Sequence, residues 1–424
     1  MDIIEKREED IRLQNILRRS YKEVDFYSTH NLLSEKQMNF LQLSDFPLQD
    51  RQTIQQQHGR FLNGRYRRYP DIESLLVQHS FGVSGIPLEV YWDRRDASRA
   101  QDALWAFREE FAGVTADERC CVFCTAEYAG NKIMDYMPKR LSWDKKILSI
   151  SMRELSLKRL KRCLDDISAF DPVWMYLSPS TALMLAEAME SFGRLFLPSL
   201  RYIELSGEML DEQTESVIRN AFHVQVANVY ATKEAGPVAV SCTHGNMHIF
   251  PGNTVVEVIR DGKPVMDEEG DIYITSLQNN AMPIIRMKTG DRGILRSTHC
   301  SCGCETSVLC LTRGRDCGFI TTTSGRKISA LVLRSMAEYA NEEVSRCLSF
   351  IRFRQTGNAG MDVVLKVKPA FEGWEEEIAR VFCGQVSDSE LEQMKWNFIF
   401  VKPESAETVQ MEEKPFFEVC GEVE

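Results

Sequence analysis

The chain has 424 residues, 43% hydrophobic and 27% charged, which is ordinary for a globular protein. That length exceeds a single compact core and suits one large and one small domain. Its 51 basic against 62 acidic residues leave a net charge of −11, and with no dense Lys/Arg run this argues against nucleic acid and anionic membrane surfaces as partners.

No apolar run reaches the length that spans a bilayer, and the charged opening at residues 1–12 lacks the apolar core of a signal peptide. The expected setting is cytoplasmic. Thirteen cysteines, an odd number, then point to reduced thiols and metal ligation rather than a disulfide framework. Cys120, Cys121, Cys163 and Cys347 sit in apolar contexts and read as small buried hydrophobes.

In chain order, residues 7–42 are polar and helix-forming, and Phe46-Pro47-Leu48 interrupts them. Residues 99–111 have helical spacing, 120–125 form a short apolar run and 182–192 are helical again. A strand at 202–205, a helix at 212–221 and a strand at 224–230 follow. Strands alternating with helices predict an α/β sheet covered on its faces. Residues 247–277 change character. Val255-Val256-Glu257-Val258-Ile259, the turn Asp261-Gly262-Lys263-Pro264 and Asp271-Ile272-Tyr273-Ile274 predict a β-hairpin. Beyond residue 315 come a helix near 329–339, strands at 350–354 and 363–367, and a helix near 374–382. The expected fold class is therefore α/β. A large multi-layer N-terminal domain (1–313) carries α/β sheets and a β-rich part, and a small α+β C-terminal domain (314–424) follows.

Several short motifs carry chemistry. Ser80-Phe81-Gly82-Val83-Ser84-Gly85-Ile86-Pro87 is rich in glycine and hydroxyls, a composition whose backbone N–H groups cradle phosphate oxygens, though it lacks the Gly-Lys-Ser/Thr ending of a Walker loop. Ser206-Gly207-Glu208 and Tyr230-Ala231-Thr232-Lys233-Glu234 each follow an apolar strand, where open α/β sheets bind ligands. A tyrosine face suits a purine, and a carboxylate such as Glu234 suits Mg²⁺. Thr289-Gly290-Asp291, read as a tight turn, offers an acidic group to ribose hydroxyls, and Gly314-Arg315 offers a cation to the attached phosphate. Each is an ordinary loop when taken alone. Lys414, alone, is a solvated surface lysine.

The order of these motifs, with Ser324-Gly325-Arg326-Lys327-Ile328 and Glu412-Glu413-Lys414-Pro415 completing it, resembles the adenylate-forming superfamily of acyl- and aryl-CoA ligases. Within it the chain is most similar to the phenylacetate-CoA ligase branch, and Val24-Asp25-Phe26-Tyr27 and the stretch from Asp45 to Arg51 match as well. The resemblance implies that Ser80, Gly82, Ser84 and Gly85 grip the pyrophosphate half of ATP. Ser206, Gly207 and Glu208 border the adenine. Tyr230 and Ala231 lie near the base, and Glu234 ligates Mg²⁺. Asp291 takes the ribose hydroxyls, Arg315 the ribose and α-phosphate side, and Lys414 bridges the substrate carboxylate and α-phosphate. Lys233, Phe81 and Cys317-Gly318 depart from the family pattern, which bears on the phosphate loop and the hinge.

A second constellation joins Cys242-Thr243-His244-Gly245-Asn246-Met247-His248 to His299-Cys300-Ser301-Cys302-Gly303-Cys304. Three thiolates and an imidazole make a closed, structural zinc site. The zinc pattern of some phenylacetate-CoA ligase relatives selects Cys242, His248, Cys300 and Cys302, with Cys304, His244 and His299 as alternates.

The resemblance thus implies an AMP-forming acid–thiol ligase. It would activate a small-molecule carboxylic acid, aryl or acyl, with ATP as the acyl-adenylate, release pyrophosphate, and pass the acyl group to coenzyme A. The alternatives are transfer to a carrier protein, a cysteine or an amine, or a weakened member that only binds nucleotide. The expected cofactors are ATP/AMP, Mg²⁺, Zn²⁺ and coenzyme A. The expected state is a monomer or homodimer engaging neither nucleic acid nor membrane.

Overall fold

A computed structural model describes residues 3–30, 41–67, 74–81, 87–124, 128–129, 132–133, 137–152, 157–193, 195–297, 299–313, 319–345, 347–386, 388, 390–401 and 417–420. The chain opens with helices α1 (Ile3–Glu23), α2 (Asp25–His30), α3 (Arg51–Gln56) and α4 (His58–Phe61). Strands β1 (Leu76–Phe81) and β2 (Pro87–Trp92) pair, and α5 (Arg94–Arg99) and α6 (Asp102–Ala112) follow. An α/β stretch comes next. It comprises β3 (Cys120–Cys124), the short β4 (Tyr128–Ala129), β5 (Lys132–Ile133) and β6 (Lys139–Leu141), then β7 (Ile147–Ser151), α7 (Leu157–Phe170), β8 (Trp174–Leu177), α8 (Pro179–Phe192), β9 (Tyr202–Ser206) and α9 (Glu212–Phe222).

From there strands dominate. They are β10 (Gln225–Thr232), β11 (Gly236–Ser241), β12 (Met247–Ile249), β13 (Thr254–Arg260), β14 (Lys263–Pro264), β15 (Glu269–Ser276), β16 (Met287–Arg296) and β17 (Val308–Arg313). The remainder is β18 (Phe319–Thr321), β19 (Lys327–Ser329), α10 (Leu331–Glu343), β20 (Leu348–Thr356), β21 (Gly360–Val367), α11 (Glu375–Gly384), β22 (Lys395–Phe400) and β23 (Phe417–Cys420).

Two compact units result. The first holds residues 1–80, 88–115 and 227–314, and the second holds 81–87, 116–226 and 315–424. This division differs from the expected 1–313 and 314–424. The first unit does end at Gly314, but residues 315–424 share a unit with 116–226 because their apolar faces fill one core.

In the first unit the strand order is β14-β13-β15-β16-β17-β12-β11-β10, with antiparallel neighbours wherever the register is defined. The alternation in Thr254–Arg260 and Glu269–Ser276 sends Val256, Val258, Ile272 and Ile274 into a core shared with Phe26, Tyr27, Phe46, Phe61 and Trp92. Asp261 and Gly262 close the β13–β14 turn with φ of 51 and 75, the conformation a two-residue type I′ hairpin requires. Tyr27 is fully buried: its hydroxyl donates to the Pro283 carbonyl and accepts from the Ile285 N–H, both at 3.1 Å. Burial there pushes the phenol well above its ordinary range.

In the second unit the order is β9-β8-β3-β7-β6, parallel except for the β6 edge. α7 and α8 provide the crossovers that parallel neighbours need. A four-stranded sheet, β22-β21-β20-β23, carries α10 and α11. Ile351, Phe353, Leu365 and Phe382 join Phe123, Ile150, Leu164 and Ile203 in one cluster.

Candidate active site and metal centre

Tyr230 and Glu234 sit on one hairpin of the first unit. Thr232 pairs with Gly236, so Lys233, Glu234 and Ala235 form a three-residue loop between β10 and β11. Two bonds fix it: Ala235 N–H donates to Thr232 Oγ1 at 3.0 Å, and Trp92 Nε1 donates to the Lys233 carbonyl at 2.9 Å. The Lys233 side chain is exposed, whereas Glu234 is fully buried.

The partner of Glu234 is Arg51, to which no motif assigned a role. Arg51 Nη1 donates to Glu234 Oε1 at 3.0 Å and to Ser80 Oγ at 3.1 Å, and Nη2 donates to the Ser80 carbonyl. Among the described residues, Glu234 Oε2 is buried with no hydrogen-bond partner. A buried carboxylate oxygen with nothing to accept from is costly for the protein alone and suits a bound cation.

Arg51 is held from behind. Asp50 caps α3 by accepting from the Thr53 N–H at 2.6 Å, which puts Arg51 at the first helical position. Gln49 bridges β16, its N–H donating to the Arg286 carbonyl and its carbonyl accepting from the Lys288 N–H, both at 2.8 Å. Arg286, at φ 52, grips both oxygens of Glu257 at 2.9 Å and donates to the Phe46 carbonyl at 3.1 Å. The arginine in Ile285-Arg286-Met287 thereby ties three separate segments together.

Asp291 lies in the same unit. Tyr230 donates its hydroxyl to Asp291 Oδ2 at 2.7 Å. The expected tight turn at Thr289-Gly290-Asp291 is instead a bulge within β16. Asp271 pairs with Arg292 and Tyr273 with Lys288, so residues 289–291 all oppose Ile272. Gly290 takes φ 90 there. Thr289 Oγ1 donates to the Ile272 carbonyl and accepts from the Asp291 N–H, both at 3.1 Å. The bulge keeps Thr289 and Asp291 buried and leaves Gly290 exposed. Ala231, on β10, is exposed.

Ser206, Gly207 and Glu208 lie in the second unit, at the end of β9. Glu208 accepts from the Ser180 N–H and hydroxyl, each at 2.9 Å, so its carboxylate caps the N-terminus of α8. Gly82, Ser84, Gly85, Arg315 and Lys414, with Cys317 and Gly318, lie outside the described residues.

Cys242, His248, Cys300 and Cys302 come together, their ligand atoms all within 4.8 Å of one another. Cys242 Sγ is 3.7 Å from Cys300 Sγ, and Cys302 Sγ is 3.3 Å from His248 Nε2. A tetrahedron with Zn–S bonds of about 2.3 Å puts sulfurs about 3.8 Å apart, so the donor set fits zinc. Further donors face the sulfurs: Asn246 Nδ2 donates to Cys300 Sγ at 3.3 Å, and the N–H groups of His244 and Cys304 point at Cys242 and Cys302 sulfurs at 3.4 Å. His248 Nδ1 faces the Thr306 carbonyl at 3.4 Å, which leaves Nε2 for a metal. The Cys302 N–H and then the Asn246 amide hold the Cys300 thiol down to about 6, while burial pushes Cys302 up to about 11. Of the alternates, Cys304 Sγ turns to Thr306 Oγ1 at 3.3 Å and His244 Nδ1 to Thr243 Oγ1 at 3.2 Å; neither these two nor His299 is in the group.

No protein-family model matches the chain. Among solved structures it superposes on 2-hydroxyisobutyryl-CoA ligase in complex with 2-HIB-AMP and CoA, in the thioesterification state. The TM-score is 0.61 at 16% identity, over 98% of this chain and 89% of that one. The chain shares the fold of that ligase. The same ligase in its postadenylation state with R3-HIB-AMP gives a TM-score of 0.57 at 18% identity, over 97% and 88% of the two chains. In sequence the chain is similar to phenylacetate-coenzyme A ligase from Thermus thermophilus, 31% identical over 147 residues. That match spans 32% of this chain and 33% of the relative. Among the described residues, no helix of this fold is long and apolar enough to cross a membrane.

Proposed function

We propose that the protein is an AMP-forming ligase that activates a carboxylic acid, aryl or acyl, as its acyl-adenylate and then transfers the acyl group to coenzyme A. The observation that carries this reading is the pairing of Tyr230 with Asp291 at 2.7 Å in the unit that also buries Glu234. A purine platform, a ribose acceptor and a metal-ligating carboxylate are the parts a nucleotide site needs. The fold and the partial match to a phenylacetate-coenzyme A ligase support it.

In the first step a substrate carboxylate oxygen forms a bond to the α-phosphorus of ATP, and the bond to the pyrophosphate oxygen breaks. The carboxylate and the triphosphate repel, so the site must neutralise charge along the attack path. Glu234 would hold Mg²⁺ through Oε2, and the bound cation would supply part of that neutralisation. Asp291 would orient the ribose, with Tyr230 holding the carboxylate. Arg315 would take the α-phosphate side, and Lys414 would bridge the attacking carboxylate. Ser80, Gly82, Ser84 and Gly85 would bind the pyrophosphate half, and Ser206, Gly207 and Glu208 the adenine side. In the second step a thiol sulfur bonds to the acyl carbon, its proton passes to solvent, and AMP leaves. Rotation of residues 314–424 by themselves between the steps, which the resemblance implies, would break the core they share with residues 116–226. Lys414→Ala is expected to abolish acid-dependent pyrophosphate release while the thermal melt stays unchanged; undiminished release in that variant contradicts the assignment.

The thiol cluster is proposed as a structural zinc site stapling the β12 hairpin to the segment between β16 and β17. Metal analysis of the purified chain is expected to give one zinc per chain, lost in Cys300→Ser. Metal-free protein with an unchanged melt contradicts it.

A further inference from the structure

We propose that Arg51 is the positioning residue for the metal ligand: it fixes Glu234 through Oε1 so that Oε2 is presented to a divalent cation. The inference rests on the nucleotide reading above and adds to it a residue to which no motif assigned a role.

The geometry makes the case. Glu234 has a side chain 1% exposed, and Arg51, 14% exposed, bonds one of its oxygens and leaves the other unpartnered among the described residues. The same guanidinium bonds both the hydroxyl and the carbonyl of Ser80. One planar fork therefore sets the Glu234 carboxylate against the end of β1, a task that a lysine's single nitrogen performs poorly. The arginine is itself fixed, by the Asp50 cap and the Gln49 bridge to β16, so little conformational freedom remains to be lost on binding. An exposed ion pair of this length would contribute little to stability. This one is sheltered, and it connects two residues assigned to the same nucleotide.

Charge runs in the same direction. A guanidinium beside a bare cation would repel it, but the cation arrives with a triphosphate and the pair is net anionic. Arg51 then attracts the incoming complex as well as orienting the carboxylate that receives it. Outer-shell partners of this kind change metal affinity by about 10–100-fold when removed.

The test is ATP-dependent uptake of Mn²⁺ by the full chain, followed by electron paramagnetic resonance, which needs no turnover. Arg51→Ala is expected to weaken uptake by about 10–100-fold, and Arg51→Lys to fall between it and wild type. Free guanidinium ion should recover uptake in Arg51→Ala and leave Glu234→Gln unchanged. If Arg51→Ala does not fold, Arg51→Lys decides alone. Wild-type affinity in Arg51→Lys together with Arg51→Ala, or in Arg51→Lys alone in that case, overturns the inference while leaving the nucleotide reading intact. A wild-type chain that takes up no Mn²⁺ with ATP overturns both.

Discussion

Short local patterns brought out two residues that the structure pairs. Tyr230 and Asp291 were each singled out by their own short motifs, and the structure joins them at 2.7 Å. Arg51 ends a matching stretch but received no role, because its partner Glu234 lies 183 residues away and no local spacing announces the pair. Arg286 was likewise silent, although its guanidinium grips Glu257 with side chains only 9% and 14% exposed. Removing one partner of such a pair leaves the other without compensation. Arg286→Met is expected to cost about 3 kcal/mol in denaturant unfolding, and the double variant with Glu257→Met less than the sum of the singles. An additive result would mean that the pair is not coupled. Tyr230→Phe takes a donor from a buried carboxylate and is expected to cost about 2 kcal/mol, measured the same way.

Elements were legible where periodicity or turn chemistry was strong. The Asp261-Gly262 turn and the alternation on either side of it gave the β13–β15 region directly. The Thr289-Gly290-Asp291 bulge was not, since a glycine flanked by polar residues reads the same in a turn and in a bulged strand. β7 and β8 escaped notice because four- or five-residue apolar runs carry little periodic signal. Close packing in β16 gives a test beside the bulge. A Cβ on Gly293 would meet the Cys310 carbonyl at 2.7 Å and Ile272 Cδ1 at 3.0 Å, so Gly293→Ala is expected to cost about 1–3 kcal/mol. A helix end gives another. The Thr214 N–H and then its hydroxyl hold the Asp211 carboxyl, which caps α9, below its ordinary 3.8. A carboxyl lowered in the folded state adds stability above its unfolded value and loses it as pH falls through the folded one. Asp211→Ala should therefore cost about 1 kcal/mol at neutral pH, and the difference should shrink as the pH drops below 3.8.

For the molecule as a whole, the mixture of α/β and β-rich parts was legible because strands alternate with helices only in one stretch. The grouping into units was not. Which apolar faces share a core is set by contacts such as Phe123 with the cluster holding Phe353, far apart in sequence. Adenylate formation is the central claim, and isotope exchange between pyrophosphate and ATP tests it without requiring the second substrate. Run over aryl, fatty and amino acids with and without coenzyme A, the exchange is expected to depend on one class of acid, to need no coenzyme A, and to vanish in Asp291→Ala. Nucleotide binding with no acid-dependent exchange across the whole panel would contradict the account.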